Sequence, residues 1–290
     1  MKRGEILDAL NAKLNLGQSD SNLELIFRDG SAIIRKSSGN PTRLMKQYQK
    51  HLNLDPDLIY PLHAPRIVSP FNGHSYEMEF VHGLPFGFAL NRLRLDQVKE
   101  VAIVVSDYFN SILVTSKTGL DQNLDLSQKI HSLASSALVN KFQFGKDSIE
   151  LLRKHSQNIQ LLSGWNHGDF SYDNILIRSN SGPIKVITLD FLDSPFESPL
   201  IDLGRFWLDS NFGWWDFDNN KSATWSLNNQ LLVSEVLRVA QRHGISVGTM
   251  EYFALFACLR IVPYLKNPHR ISFIRSAMKE LIAGSSKWQF

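Results

Sequence analysis

Residues 165–206 read WNHGDFSYDNILIRSNSGPIKVITLDFLDSPFESPLIDLGRF, and this stretch decides how the rest of the chain is read. Asp169 and Asn174 lie five apart in a polar run that reads as a loop. An apolar strand at 175–177 follows at once, then a Ser-Asn-Ser-Gly-Pro turn and a second strand at 184–189 that runs straight into Asp190. Two such strands joined by a Gly-containing turn read as a β-hairpin. The hairpin folds Asp190 back beside Asn174, putting two oxygen ligands and one free carboxylate at a single mouth. A small, oxygen-only set suits Mg²⁺, which keeps several waters and shares its shell with substrate phosphates.

His167-Gly-Asp169 followed by Asn174, then Leu189-Asp190-Phe191 and Ile201-Asp202-Leu203, resembles the motif set of the aminoglycoside phosphotransferase and choline kinase group of the protein-kinase-like superfamily. The resemblance implies that Asp169 takes or orients the proton of an acceptor hydroxyl. It also implies that Asn174 and Asp190 hold Mg²⁺ on the phosphates of ATP or GTP. Protein kinases usually carry Lys two residues after this aspartate; Ser171 stands there, which favours a small-molecule kinase. Phosphoryl transfer demands little covalent chemistry and much positioning and charge neutralisation, so one carboxylate must stay metal-free while two ligands pin the metal. His167 and Asp202 read as scaffolding, with Asp202 at the start of a helix and bonded to the catalytic-loop backbone.

A length of 290 residues permits one large domain or two lobes and buries a core easily. The single Cys258 excludes a disulfide framework within the chain, and in its apolar helical run it reads as a packed core thiol. The start, MKRGEILDALNAKL, lacks the apolar core of a signal peptide, and no apolar run reaches membrane-spanning length. A reducing cytoplasm is the expected location. A net charge of +3, without an arginine-rich block, gives no sign of nucleic-acid binding.

Residues 1–16 carry Ile6, Leu7, Leu10 and Leu14 at helical spacing. A small polar run, 17–22, leads into a strand at 23–27, an Asp29-Gly30 turn and a second strand at 31–36. The resemblance places the phosphate-covering loop at 17–22, with Ser19 and Asn22 as candidate nucleotide contacts, although any surface loop has this composition. The second strand ends in Arg35-Lys36, where a kinase-like lobe puts its phosphate-binding cation. Alternation allows only one of the two to enter the cleft, and sequence leaves both open.

The helix at 41–52 starts with Pro and carries Leu44, Tyr48 and Leu52 on one face. In kinases this helix supplies a glutamate to the strand cation; here Gln47 takes the matching place, among Arg43, Lys46 and Lys50. Whichever of Arg35 and Lys36 faces the cleft is then expected to lack its usual carboxylate. The run from Tyr76 to Pro85 resembles the hinge between lobes, where backbone groups near Glu79 and Val81 would meet the adenine edge.

Further helices are expected at 95–113, 126–138 and 148–162 and in two stretches near the end of the chain. The aromatic run Trp207, Phe212, Trp214, Trp215, Phe217 and Trp225 reads as core packing of a helical subdomain. Residues 205–290 hold ten Lys or Arg against six Asp or Glu, a charge sign that disfavours a polycationic acceptor. The expectation is an α+β, two-lobed protein-kinase-like fold: an antiparallel-sheet amino lobe at 1–80, a hinge at 81–85 and a mainly helical carboxy lobe at 86–290. Its expected partners are a nucleotide and a neutral or anionic sugar-like hydroxyl acceptor. The alternative, motivated by the missing helix glutamate, is a non-catalytic nucleotide-binding or scaffold protein.

Overall fold

A computed structural model describes residues 21–118, 121–179, 183–192, 194, 196–213, 222–265 and 267–290. The helix expected at 1–16 and Ser19 lie outside them. The chain begins with β1 (Ser21–Arg28) and β2 (Ser31–Ser38), paired antiparallel from Ser21↔Ser38 to Arg28↔Ser31. Asp29 and Gly30, at φ 50° and 78°, close the turn with the two positive φ values that match the right-handed twist of a hairpin. With β3 (Ile67–Ser69) and β4 (Ser75–Glu79) they make an antiparallel sheet of order β1-β2-β4-β3.

Helix α1 (Pro41–Leu52) starts where the Asn40 side chain accepts the Arg43 N–H and Pro41 supplies a preset φ. Its Leu44 joins Leu25, Ile34, Tyr76 and Met78 in a small core on one face of the sheet. The opposite face carries Arg28 and Arg35, ion-paired to Glu77, with Arg35 also on Glu24.

The remainder of the chain is organised around a second, much larger core. It enters through β5 (Leu84–Pro85), which pairs with β6 (Ile175–Arg178), itself paired with β7 (Lys185–Thr188). Helix α2 (Leu95–Val114) buries Val98, Val101, Ala102, Val105, Tyr108, Phe109 and Ile112 at helical spacing. The larger core also takes in Leu62, and the His63 N–H donates to Val186 O at 2.9 Å, so the segment just before β3 is seated on the carboxy lobe.

The two helices expected at 126–138 and 148–162 come out differently divided. α3 (Asp121–Ala134) stops where the Asn140 amide caps the Ala134 carbonyl at 2.6 Å. A short turn at Ala137–Lys141 follows, then α4 (Gln143–His155). Leu162–Ser163 is a short strand paired with Lys117–Thr118, not the end of a helix.

Helix α5 (Pro199–Phe212) is capped by Ser198 and ended by the left-handed Gly213. Its residues 199–210 are all buried; α6 (Ala223–Arg242) packs on α2, α7 (Val247–Ile261) on α5 itself, and α8 (Pro268–Gly284) on α4 and α7. Trp207 and Trp225 are core residues, and burial pushes the Cys258 thiol up to about 12. Trp214, Trp215 and Phe217 lie outside the described residues. No single helix among those described is long and apolar enough to cross a membrane.

α5 and α7 approach so closely at Gly204 that a Cβ there would stand 2.4 Å from the Phe253 backbone. Gly204→Ala is therefore expected to force the helices apart and to destabilise the fold by about 1–3 kcal/mol. Thermal melting should show a clear fall; an unchanged melting temperature would contradict this packing.

Candidate active site

The loop at 164–174 is held from beneath by one buried carboxylate. Asp202, in the first turn of α5, accepts the His167 N–H at 2.5 Å and the Tyr108 hydroxyl at 2.7 Å on Oδ2, and the Gly168 N–H at 2.9 Å on Oδ1. Burial pushes its pKa up to about 6 against the pull of these donors. Gly168, at φ 92°, has no room for a side chain: a Cβ would lie 2.4 Å from Leu192 O. His167 is buried and held neutral, its pKa lowered to about 4 by removal from water, and its Nδ1 accepts the Asp169 N–H at 3.3 Å. Both His167 and Asp202 thus support the loop, as their sequence positions suggested.

Asp169 emerges from this support with both carboxylate oxygens engaged. Arg205 Nε donates to Oδ1 at 2.7 Å and Asn174 Nδ2 to Oδ2 at 3.0 Å. Arg205 also bonds Asp209 Oδ1 at 2.7 Å, and Asp209 Oδ2 accepts the Tyr172 N–H at 2.6 Å. Burial alone would lower the Arg205 pKa; the Asp209 and Asp169 carboxylates hold it above its ordinary value. This chain from Asp169 through Arg205 to Asp209 was not anticipated from sequence. The one available signal was that Arg205 and Asp209 stand four apart on a single helix.

Asn174 and Asp190 do meet, because the Leu189 N–H donates to Asn174 O at 2.8 Å and closes the hairpin beneath them. Asp190 is left-handed, at φ 60°, a conformation costing a non-glycine residue on the order of 1–3 kcal/mol and typical of functional loops. Its Oδ1 is paired with Lys36 Nζ, whose side chain is buried. Burial pushes Asp190 upward, but the Lys36 ammonium outweighs it and holds the carboxyl below its ordinary value.

The donor set fits Mg²⁺. Asn174 gives its amide N–H to Asp169 and retains a carbonyl oxygen, and Asp190 retains a second carboxylate oxygen. No cluster of three or more His, Cys, Asp or Glu capable of holding a metal occurs among the described residues. An ion held by Asn174 and Asp190 would thus complete its shell with water and phosphate, the usual habit of Mg²⁺.

Strand alternation resolves the pair of cations. Lys36 lies on the sheet face covered by α1 and reaches Asp190, whereas Arg35 is on the opposite face with Glu77 and Glu24. Arg35 is therefore not in the cleft. Lys36 also does not lack a carboxylate: Asp190 stands in the place expected for a helix glutamate. Gln47 is buried on the same side, 2 % exposed, and its Oε1 has no hydrogen-bond partner.

Two further positions, Asn22 and Glu79, differ from the reading of the sequence. Asn22 lies within β1, opposite Ser37 and on the face of Glu24 and Arg35, so it does not cover the cleft. Glu79 is the last ladder residue of β4, paired with Ile33, and its N–H is taken by Arg66 O at 2.9 Å. Val81, beyond the ladder, keeps its backbone groups unpaired among the described residues. Glu79 and Val81 do line a cavity of about 140 Å³ with His63, Ala64, Arg178, Lys185 and Ile187, but Lys36, Asp169 and Asp190 are not in its wall.

α1 is itself bonded to the catalytic loop. Lys50 Nζ meets Asn166 Oδ1 at 2.9 Å and Glu197 Oε2 at 3.0 Å, and the His51 ring lies 5.0 Å from that of Phe191.

The chain has a two-lobed, protein-kinase-like α+β fold, in which Lys36 pairs with Asp190 and Asn174 bonds Asp169. Among solved structures, a thermostable mutant of aminoglycoside phosphotransferase APH(4)-Ia, in ternary complex with ADP and hygromycin B, is similar at TM-score 0.63 and 12 % identity, covering 97 % of this chain and 99 % of that one. Choline kinase LicA from Streptococcus pneumoniae is similar at TM-score 0.59 and 13 % identity, over 96 % and 99 % of the two chains. A gentamicin complex of the phosphotransferase APH(2")-IIa is similar at TM-score 0.54 and 12 % identity, over 97 % of each. No protein-family model matches the sequence, and no curated protein matches it.

Two substitutions test the geometry. Lys36→Ala should weaken Mg-nucleotide binding by roughly tenfold or more, the loss expected for a charge-assisted phosphate contact, while Arg35→Ala should leave it nearly unchanged. Equal losses in a calorimetric titration would contradict the sidedness of β2. Asp202→Asn removes an acceptor from the loop N–H groups and should cost about 1–3 kcal/mol of stability. A melting curve superimposable on wild type would exclude Asp202 as the loop's support.

Proposed function

We propose that the chain is a small-molecule kinase that transfers the γ-phosphate of ATP, or GTP, to a hydroxyl of a neutral or anionic sugar-like acceptor. The observation that carries this reading is that the Asp169 carboxylate, held by Arg205 and Asn174, lies beside the hairpin that carries Asp190, with Lys36 paired to Asp190. Mg²⁺, when bound, would neutralise charge on the nucleotide phosphates. Asn174 and Asp190 are the residues to hold it, and Lys36 is the cation to meet the phosphates.

Asp169 is the group to receive the acceptor's proton. The acceptor oxygen bonds to the γ-phosphorus as the bond from that phosphorus to the β–γ bridging oxygen breaks. The nucleoside diphosphate leaves with the electron pair, and the hydroxyl proton passes to Asp169. Arg205 and Asn174 each hold one oxygen of that carboxylate, fixing its direction, and each oxygen keeps a lone pair for the incoming proton. The unpaired backbone of Val81 is suited to the edge of a nucleotide base.

The scaffold reading rested on the absent helix glutamate. It loses force because Lys36 has Asp190 as a carboxylate partner without it.

Asp169→Asn should retain nucleotide binding and lower turnover on the order of a hundredfold or more, as removal of a general base does. A panel of hydroxyl acceptors with labelled nucleotide, read by mass shift, supplies the assay; full turnover by the variant would refute the assignment. Mg²⁺ should strengthen nucleotide binding in the wild type, and Asp190→Ala should abolish that gain. Identical nucleotide affinity with and without Mg²⁺ would move the reading to the scaffold alternative.

A further inference from the structure

Arg260 differs from the other cations around the catalytic loop. Arg205 is matched by Asp169 and Asp209, Lys36 by Asp190, and Lys50 by Glu197. Arg260, at the end of α7, is partly buried, and its hydrogen bonding is limited to Nη1 on Gly168 O at 3.3 Å. No carboxylate among the described residues comes within ion-pair distance of it. A guanidinium presents five N–H donors in a planar fork, so one long bond to a carbonyl leaves most of them to water or a ligand. Removal from water depresses its pKa; the nearby Asp169 charge opposes this and Arg205 adds to it.

The position is as informative as the missing partner. Gly168 immediately precedes Asp169, so Arg260 stands at the mouth where the acceptor hydroxyl has to arrive. Tyr264, just beyond α7, lies under the guanidinium of Arg43 at 6.0 Å, and the charge of Arg43 reaches Asp190. The charge of Arg270 reaches Asp173. Arg43 and Arg270 thus act on carboxylates of the loop and hairpin, whereas Arg260 has no carboxylate within ion-pair distance among the described residues. An ammonium group placed against Arg260 would face like charge, which costs several kcal/mol in poorly hydrated surroundings. A carboxylate or phosphate would find a two-pronged donor of matching geometry.

We propose that the acceptor carries an anionic group, a carboxylate or a phosphate, within one monosaccharide's reach of the hydroxyl that is phosphorylated, and that Arg260 holds it. The assignment rests on the kinase reading and narrows it to an anionic substrate. It also separates this chain from aminoglycoside chemistry, since aminoglycosides are polycations. Arg260 is then a specificity-determining residue.

The test uses the full chain saturated with Mg-ADP and titrated calorimetrically with four pyranoses: glucuronate, glucose 6-phosphate, glucose and glucosamine. The two anions should bind roughly tenfold or more tightly than glucose, and glucosamine should bind worst. In Arg260→Gln the glucuronate-to-glucose affinity ratio should fall toward one, and Arg260→Lys should restore part of it. Glucose or glucosamine binding as well as the anions overturns the proposal. So does an Arg260→Gln protein that loses all four ligands in equal proportion and melts earlier, because Arg260 would then only prop Gly168. The initial Mg-ADP titration separates the two levels: no Mg-ADP binding removes the kinase reading and this proposal with it, whereas normal Mg-ADP binding without charge preference removes the anionic acceptor alone.

Discussion

The site depends on a buried anion meeting unpaired backbone donors. A loop that turns sharply at Gly168 leaves the N–H groups of His167 and Gly168 without partners, and buried donors of that kind cost on the order of 1–3 kcal/mol each. Asp202 accepts both and the Tyr108 hydroxyl as well, joining the loop to α5 and α2 through one side chain. The position of Asp169 is thus referenced to a helix, α5, that is buried along nearly its whole length.

Arg205 extends that referencing to the Asp169 carboxylate. It lies one helical turn beyond Asp202 and grips Asp169 on one side and Asp209 on the other. Asp209 in turn receives the Tyr172 N–H, and the Tyr172 hydroxyl bonds Asn229 of α6. The catalytic loop is thus fastened at its start by Asp202 and at its end by Asp209, with Arg205 between them. Buried charges are tolerable in such a network because each has hydrogen-bonded partners, and removing one would strand the others.

What sequence made legible was local. Asp169, Asn174 and Asp190 were recognisable because their spacing and the hairpin between them fix their proximity, and Asp202 because it opens a helix. Lys36 was half legible: alternation showed that one cation must face the cleft, but which one depends on the face that α1 covers. The absence of a glutamate at Gln47 suggested a cation without a partner, whereas the fold supplies Asp190 from 154 positions away. The roles of Arg205, Lys50 and Arg260 were not legible, since each acts across elements that sequence does not juxtapose. Asn22 was misread as loop because β1 begins earlier than its apolar residues do. The helix boundary near 135 shifted because an asparagine cap ends an element that apolar spacing would prolong.

The contacts of Lys50 and His51 bear on how the two lobes can move. α1 belongs by sequence to the small lobe and packs on its sheet, yet Lys50 is fastened to Asn166 and Glu197 and His51 lies against Phe191. Rotation that opened the cleft at α1 would have to break these charge-assisted bonds, and rotation of the sheet about α1 would still have to break the ion pair of Lys36 with Asp190. Separating the two lobes therefore costs charge-assisted bonds both at α1 and at β2, and a ligand that took the place of Asp190 on Lys36 would remove the second of these costs.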